Sequence, residues 1–237
     1  MTEARSMLIT GASRGIGRAA AARFVAAGWQ VFALSRSRCP VEGVTWLEAD
    51  LLDPQVDERV AAWLDAELGA APGKLCLIHN AATLTPDTAV SIDPASLRET
   101  LELNVVAPAR LNRLLVPRMA AGSSVLYVGS TLSEKAVAGV ASYVLSKHAL
   151  AGLMKSTCQD LAGTGVHTAC VCPGFTRTEM LVDRAGGDAE VLASLAGLST
   201  FARLVEPEEI AAVLHFAADN PVINGAMLHA NLGQVER

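Results

Sequence analysis

Charge is scarce in this sequence: Asp, Glu, Lys and Arg make up 18% of its 237 residues, and the formal net charge is −5. So mild a balance offers no broad basic field to nucleic acid or to an anionic membrane, and neither is expected as a partner. Long apolar runs are also missing. No stretch of about eighteen apolar residues free of charge is present, so no transmembrane helix is expected. The opening segment, MTEARSMLIT, has no long apolar run before its first strand and reads as mature protein, with a cytoplasmic location the expectation. Cysteine is limited to Cys39, Cys76, Cys158, Cys170 and Cys172, an odd number without a double CxxC spacing, which reads as buried reduced thiols. His79, His148, His167, His215 and His229 are scattered without an HExxH pattern, so no metal site is expected. No Pro/Gly/Ser-rich linker divides the chain and no internal repeat is visible, which makes residues 1–237 a single domain.

What is present is apolar and periodic. Hydrophobic residues reach 51% and the mean hydropathy is +0.34, which excludes a disordered chain. Short β-rich runs at Met7–Thr10, Gln30–Ser35, Thr45–Ala49, Lys74–His79, Ser124–Gly129, Val166–Cys172 and Ala226–Ala230 are apolar for most of their length. Strands covered on both faces read this way. Helical stretches lie between them at Gly15–Ala27, Pro54–Leu68, Pro94–Ala121, Ala141–Ala162 and Pro207–Ala218. The alternation predicts an α/β fold, a doubly wound Rossmann-type parallel sheet flanked by helices. Residues 178–205 interrupt it, with Gly186–Gly187 inside and Met180, Leu181, Leu192, Leu195, Leu198 and Phe201 along the way. A substrate lid is the expected role, a surface helix pair packed on the core the alternative.

The first strand runs into TGASRGIG and then into an Ala-rich helix. Gly11, Gly15 and Gly17 allow a tight turn, backbone approach to a diphosphate and close helix–strand contact. The N-terminus of the following helix offers free N–H groups and a positive dipole end. The GxxxGxG spacing is not GxGxxG, and no Gly-Lys-Ser/Thr follows as a Walker loop requires. At the end of the second strand, where an NAD site places an acid for the ribose 2′-OH, stand Ser35 and Arg36, with Arg14 in the glycine loop. Two guanidiniums without a carboxylate suit a 2′-phosphate, so NADP(H) is expected in preference to NAD(H). Solvated loop charges are the alternative, and Arg38 is a further candidate.

Tyr143 and Lys147 lie four apart in ASYVLSKHAL and share a helix face. A free phenol titrates near 10 and is a poor base at neutrality, while a fixed cation favours phenolate; a shift of about two units takes about 2.7 kcal/mol. Ser130, after the strand VLYVG, supplies a hydroxyl suited to a substrate oxygen. Asn104, amid apolar neighbours in LELNVVAP, needs hydrogen-bond partners, which backbone groups at a helix bend would also satisfy.

With these parts in order, the sequence resembles the short-chain dehydrogenases/reductases in their compact single-domain form. The resemblance runs from LITGASRGIG through Asp50 in EADL, HNAA at His79–Ala82, Asn104, Ser130, Tyr143 with Lys147 and CPGFTRT at Cys172–Thr178 to LHANLG. It implies an oxidoreductase moving a hydride between the nicotinamide and a carbonyl or alcohol, with Tyr143 as general acid in reduction and general base in oxidation. Lys147 would assist Tyr143 and hold the nicotinamide ribose, Ser130 would orient the carbonyl, and Asn104 would hold a relay water. The cofactor would meet Gly11, Ser13, Arg14, Gly15, Ile16 and Gly17, then Ser35, Arg36, Asp50 and Leu51. Further on it would meet Asn80, Ala81, Ala82, Tyr143, Lys147, Pro173, Gly174, Thr176 and Thr178. The loop from Thr131 to Ala138 and the 178–205 segment would wall the substrate pocket. The family's habit implies a homodimer or homotetramer through the helices carrying Asn104 and Tyr143. HNAA in place of NNAG, and HANLG in place of a VDGG-like end, depart from the pattern.

Three other readings compete. A non-catalytic NADP(H)-binding sensor or scaffold predicts a damaged tetrad, whereas Asn104, Ser130, Tyr143 and Lys147 are all present. Epimerase or dehydratase relatives usually carry a larger C-terminal region, and a SAM-dependent methyltransferase would show an acid at the end of the second strand.

Overall fold

The structure, a computed structural model, describes residues 5–68 and 73–235. Residues 1–4, the start of the segment read above as a mature N-terminus, lie outside the described residues, as do 69–72 and 236–237. Seven parallel strands form one sheet in the order β3-β2-β1-β4-β5-β6-β7. They are β1 (Arg5–Thr10), β2 (Gln30–Ser35), β3 (Val44–Glu48), β4 (Lys74–His79), β5 (Ser124–Val128), β6 (His167–Pro173) and β7 (Ala226–Ala230). Every expected strand is present, those at Gln30–Ser35, Lys74–His79 and Ala226–Ala230 with the expected ends and the others within two residues of them.

The helices α1 (Gly15–Ala26), α2 (Val56–Leu68), α3 (Pro94–Leu101), α4 (Ala107–Leu115), α5 (Ala141–Asp160), α6 (Glu179–Arg184), α7 (Ala189–Ala196) and α8 (Pro207–Asp219) complete the layers. Successive residues of β1 explain why both faces need cover. Met7 and Ile9 pack with Phe24 of α1 and Leu214 of α8, while Leu8 packs in the opposite core with Val60 of α2, Leu111 of α4 and Met154 of α5. Ala19, Ala20 and Ala21 of α1 lie in one core cluster with Ala211, Ala217 and Ala218 of α8, and small side chains let the two helices approach closely.

The single helix expected over Pro94–Ala121 is not continuous. A π-helical turn at Glu102–Val106 separates α3 from α4, and a 3₁₀ turn follows at Val116–Arg118. Pro108 explains the break: it has no N–H to give to the Asn104 carbonyl four residues back, and its ring crowds that carbonyl. Asn104 sits inside the π turn. The sheet order reverses between β1 and β4, so the loops after these strands part and leave a crevice at their carboxyl ends. Among the described residues no helix is long and apolar enough to cross a membrane.

Candidate active site

The crevice opens into a cavity of about 740 Å³. Gly11 turns the chain at φ +72° immediately after β1, and α1 starts at Gly15. A Cβ on Gly17 would fall 2.2 Å from the Gly11 carbonyl oxygen and 2.6 Å from Asn80 Nδ2, so the first turn of α1 abuts the loop with no room for a methyl group. Asn80, just after β4, locks this contact: its Nδ2 donates to the carbonyls of Thr10 (2.9 Å) and Gly11 (3.0 Å). Thr10 Oγ1 in turn accepts from the backbone N–H groups of Asn80 and Ala81. The helix N-cap, Arg14, makes no side-chain cap, and the first turn carries no acid. The N–H groups there are left for an anion, which is the chemistry a dinucleotide diphosphate needs.

Gly11, Ser13, Arg14, Gly15 and Ile16 line the cavity, together with Ser35, Arg36, Asp50, Leu51 and Asn80–Ala82. Pro173, Gly174, Thr176 and Thr178 line it further along. Of the expected cofactor residues, Gly17 alone stands behind the wall, shaping the loop. Ser35 is buried, and its hydroxyl donates to Ser37 O (2.8 Å) while accepting from Trp46 Nε1 (3.1 Å). Arg14 is drawn to Asp183 on α6 (3.7 Å), and Arg36 is exposed with no partner among the described residues.

Ser130, Tyr143 and Lys147 meet in the same cavity. Ser130 follows Gly129, where an added Cβ would meet Cys170 Sγ at 2.5 Å and Ser133 Oγ at 2.9 Å, so only glycine fits where the chain leaves β5. The Ser130 N–H donates to Ser133 Oγ (3.1 Å), and Ser130 Oγ accepts from the Leu132 N–H (3.1 Å). These bonds fix the side chain and leave its hydroxyl hydrogen to donate outward. Lys147 is 3% exposed, donates to the Val128 carbonyl (2.8 Å), and lies 5.4 Å from the centre of the Tyr143 ring. The hydrogen bond with Cys172, and burial after it, push the Cys170 thiol upward, and the pair Cys170–Cys172 lies 3.8 Å apart beneath Gly129 as reduced cysteines.

Asn104 stands apart from the cavity. It is 1% exposed; its Oδ1 accepts from the Thr83 N–H (2.8 Å), and its Nδ2 donates to Thr83 O (2.9 Å) and Ser146 Oγ (2.9 Å). The side chain therefore clamps the loop after β4 onto α5, three residues from Tyr143.

Residues 178–205 form α6 and α7, and Met180, Leu181, Val191 and Leu195 face the cavity. The excursion is tied at its base, where Arg177 N donates to Val205 O (2.8 Å) and Val205 N to Phe175 O (2.9 Å). It is tied again at its far end: Val235 N donates to Leu198 O (2.7 Å) and Thr200 Oγ1 to Leu232 O (2.9 Å). Sequence reasoning missed this C-terminal staple and the wall residues Leu84, Phe175 and Gln234, because contacts across such sequence distances carry no local signal. The HANLG ending also has a packing role, with Asn231 lying where a Cβ on Gly174 would be, 2.8 Å away.

A glycine-loop crevice on a seven-stranded parallel sheet, with a Ser–Tyr–Lys group in it, defines a class, and comparison with known proteins agrees. The family model described as Enoyl-(Acyl carrier protein) reductase matches residues 11–234. Protein FixR of Bradyrhizobium diazoefficiens is 32% identical over 98% of this chain and 87% of its own. The 3-oxoacyl-[acyl-carrier-protein] reductase FabG of Salmonella typhimurium is 29% identical over 98% of this chain and 97% of its own. The ligand-free aldohexose dehydrogenase of Thermoplasma acidophilum superposes with a TM-score of 0.89 at 25% identity, covering 97% of this chain and 93% of that one. The chain belongs to the short-chain dehydrogenase/reductase family. It is accordingly a nicotinamide-dependent hydride-transfer oxidoreductase acting on CH–OH or C=O groups.

Proposed function

We propose that the protein is an NADP(H)-dependent reductase of a small-molecule carbonyl, or dehydrogenase of the corresponding alcohol. The observation that carries this reading is that Ser130, Tyr143 and Lys147 share one cavity with the glycine loop and Arg36. NADP(H), when bound, supplies or accepts the hydride. Tyr143 gives the substrate oxygen its proton in reduction and takes it back in oxidation. The fixed charge of Lys147 beside the phenol ring stabilises the negative charge left when that proton departs. Ser130, its Oγ already accepting from Leu132, donates its hydrogen to the same substrate oxygen and holds it facing Tyr143. Asn104 acts behind them. Its carbonyl, denied the usual helical donor by Pro108, is the atom offered to a relay water, while its side chain holds Thr83 and Ser146.

On the cofactor side, Arg36 and Arg14 take the 2′-phosphate, Arg14 exchanging Asp183 for it. Asp50 and Leu51 border the adenine, Asn80–Ala82 the ribose, and Pro173, Gly174, Thr176 and Thr178 the carboxamide. The α6–α7 segment serves as the substrate lid. Exposed Val106 and Leu145, on the segments carrying Asn104 and Tyr143, support association into a homodimer or homotetramer.

The test is titration of the purified protein with NADPH and NADH, followed by NADPH oxidation against ketones, diketones and quinones. Tighter NADPH binding with turnover of a carbonyl is expected. Binding without turnover across the panel would favour a sensor or scaffold, and failure to bind either nucleotide would refute the reading of the loop.

A further inference from the structure

The substrate end of the cavity is walled by apolar side chains: Leu132, Val137 and Val140 on one side, Met180, Val191 and Leu195 on the lid. One charge interrupts that wall. Arg184 lies on α6 four residues after Met180, so the two stack on one helix face, and both line the cavity. The carboxylates of the same helix are already engaged: Glu179, which also lines the cavity, with Arg18 (3.6 Å), and Asp183 with Arg14 (3.7 Å). Arg184 itself has no ion pair or hydrogen bond among the described residues.

The other charged groups of the cavity are accounted for. Arg14 and Glu179 are paired, and Lys147 is bonded to Val128. Asp50 accepts from the Leu52 N–H (3.0 Å), and Arg36 stands at the end of β2, on the adenosine side. Arg184 is thus an exposed, water-solvated guanidinium at the rim of an apolar pocket, with no carboxylate within 4.0 Å among the described residues. Its planar fork matches a carboxylate in a bidentate geometry.

We propose that Arg184 is a specificity-determining residue that selects carbonyl substrates with an apolar body and a carboxylate at the end remote from the carbonyl. This rests on the carbonyl-reductase reading above. The apolar wall takes the body of such a molecule, Ser130 and Tyr143 take its carbonyl oxygen, and Arg184 takes the carboxylate as it leaves bulk water.

The experiment compares methyl-ketone carboxylic acids of increasing chain length, each beside its methyl ester, as substrates with NADPH. The wild type is expected to prefer the acid about tenfold in kcat/KM at one best length, through KM. In Arg184→Gln the KM of that acid rises about tenfold, while ester turnover and the Kd of NADPH stay within about twofold. Arg184→Lys keeps part of the preference. Three results would overturn the assignment: esters turned over as well as acids at every length, a preference that survives Arg184→Gln, or a loss of NADPH affinity in the variant matching the loss for the acid. The last would place the guanidinium on a cofactor phosphate. Failure of the wild type to reduce any acid or ester would refute the carbonyl-reductase reading itself, and this assignment with it.

Discussion

Replacing Gly17 by alanine tests whether the glycine loop is held by contact or merely by sequence habit. The new Cβ would sit 2.2 Å from the Gly11 carbonyl oxygen and 2.6 Å from Asn80 Nδ2, whereas real Cβ atoms stay beyond 3.0 Å. The first turn of α1 must therefore retreat by about 1 Å, since a close-packed interior cannot absorb the overlap. Overpacking of this kind costs about 1–3 kcal/mol, and weakening the two Asn80 bonds adds about 1 kcal/mol each. Helix propensity returns about 0.5–1 kcal/mol, so a net loss of about 2–4.5 kcal/mol is expected. For a chain of this size the melting temperature should fall by about 4–18 °C. The displaced N–H groups would no longer converge on one anion, and NADPH affinity should drop by about tenfold to hundredfold. Scanning fluorimetry and a fluorescence titration of NADPH read both effects. Gly152 on α5 supplies the control: nothing lies within 4 Å of its added Cβ, so Gly152→Ala should be neutral or stabilising by about 0.5–1 kcal/mol. A Gly17→Ala protein that melts within about 1 °C of wild type and binds NADPH within about twofold would refute the reasoning.

Four further outcomes are expected. Tyr143→Phe should bind NADPH normally and lose nearly all turnover; substantial residual activity would remove Tyr143 as the proton donor. Arg36→Asp should weaken NADPH by about tenfold or more beyond any effect on NADH, and equal losses in the two titrations would mean that the 2′-phosphate lies elsewhere. Asn104→Ala leaves the Thr83 N–H and C=O without their partner, so unfolding free energy from urea denaturation should fall by about 3 kcal/mol together with activity; lost turnover at full stability would make its role chemical and not positional. His79 is held to about 4 by burial, against which its Asn112 hydrogen bond works. An unfolded histidine titrates near 6.5, so between these values the unfolded chain binds a proton the folded chain refuses. Stability is then full above about pH 6.5 and falls by up to about 3 kcal/mol as the pH drops toward 4. Urea midpoints across that range should lose this slope in His79→Asn, and an unchanged slope would count against it.

Local chemistry made much of this protein legible from the sequence by itself. Strands such as SMLIT read as two-sided because Met7, Leu8 and Ile9 are all apolar, and in the fold Leu8 serves one core while its neighbours serve the other. Tyr143 and Lys147 were readable as a pair because the helix period alone puts residues four apart on one face. The glycine loop was readable because its residues are contiguous and flanked by a strand and a helix.

Tertiary structure decided what depends on residues far apart in the chain. The side-chain partners of Asn104, Thr83 and Ser146, lie far from it in the chain, and no spacing could place them beside it. The break in the helix over Pro94–Ala121 had a local cause in Pro108, yet apolar periodicity runs through such a π turn and concealed it. The sequence offers Arg14 either to a phosphate or to solvent, and only the folded chain brings Asp183 to it. The same return of α6 over the crevice left Arg184 on the cavity wall, and hydrogen bonds from the C-terminal segment fixed the far end of that excursion. Periodicity and contiguous motifs report the residues that are neighbours along the backbone. Ion pairs, caps and walls between distant segments are set by the sum of packing over the whole domain, and that sum has no local signature in the sequence.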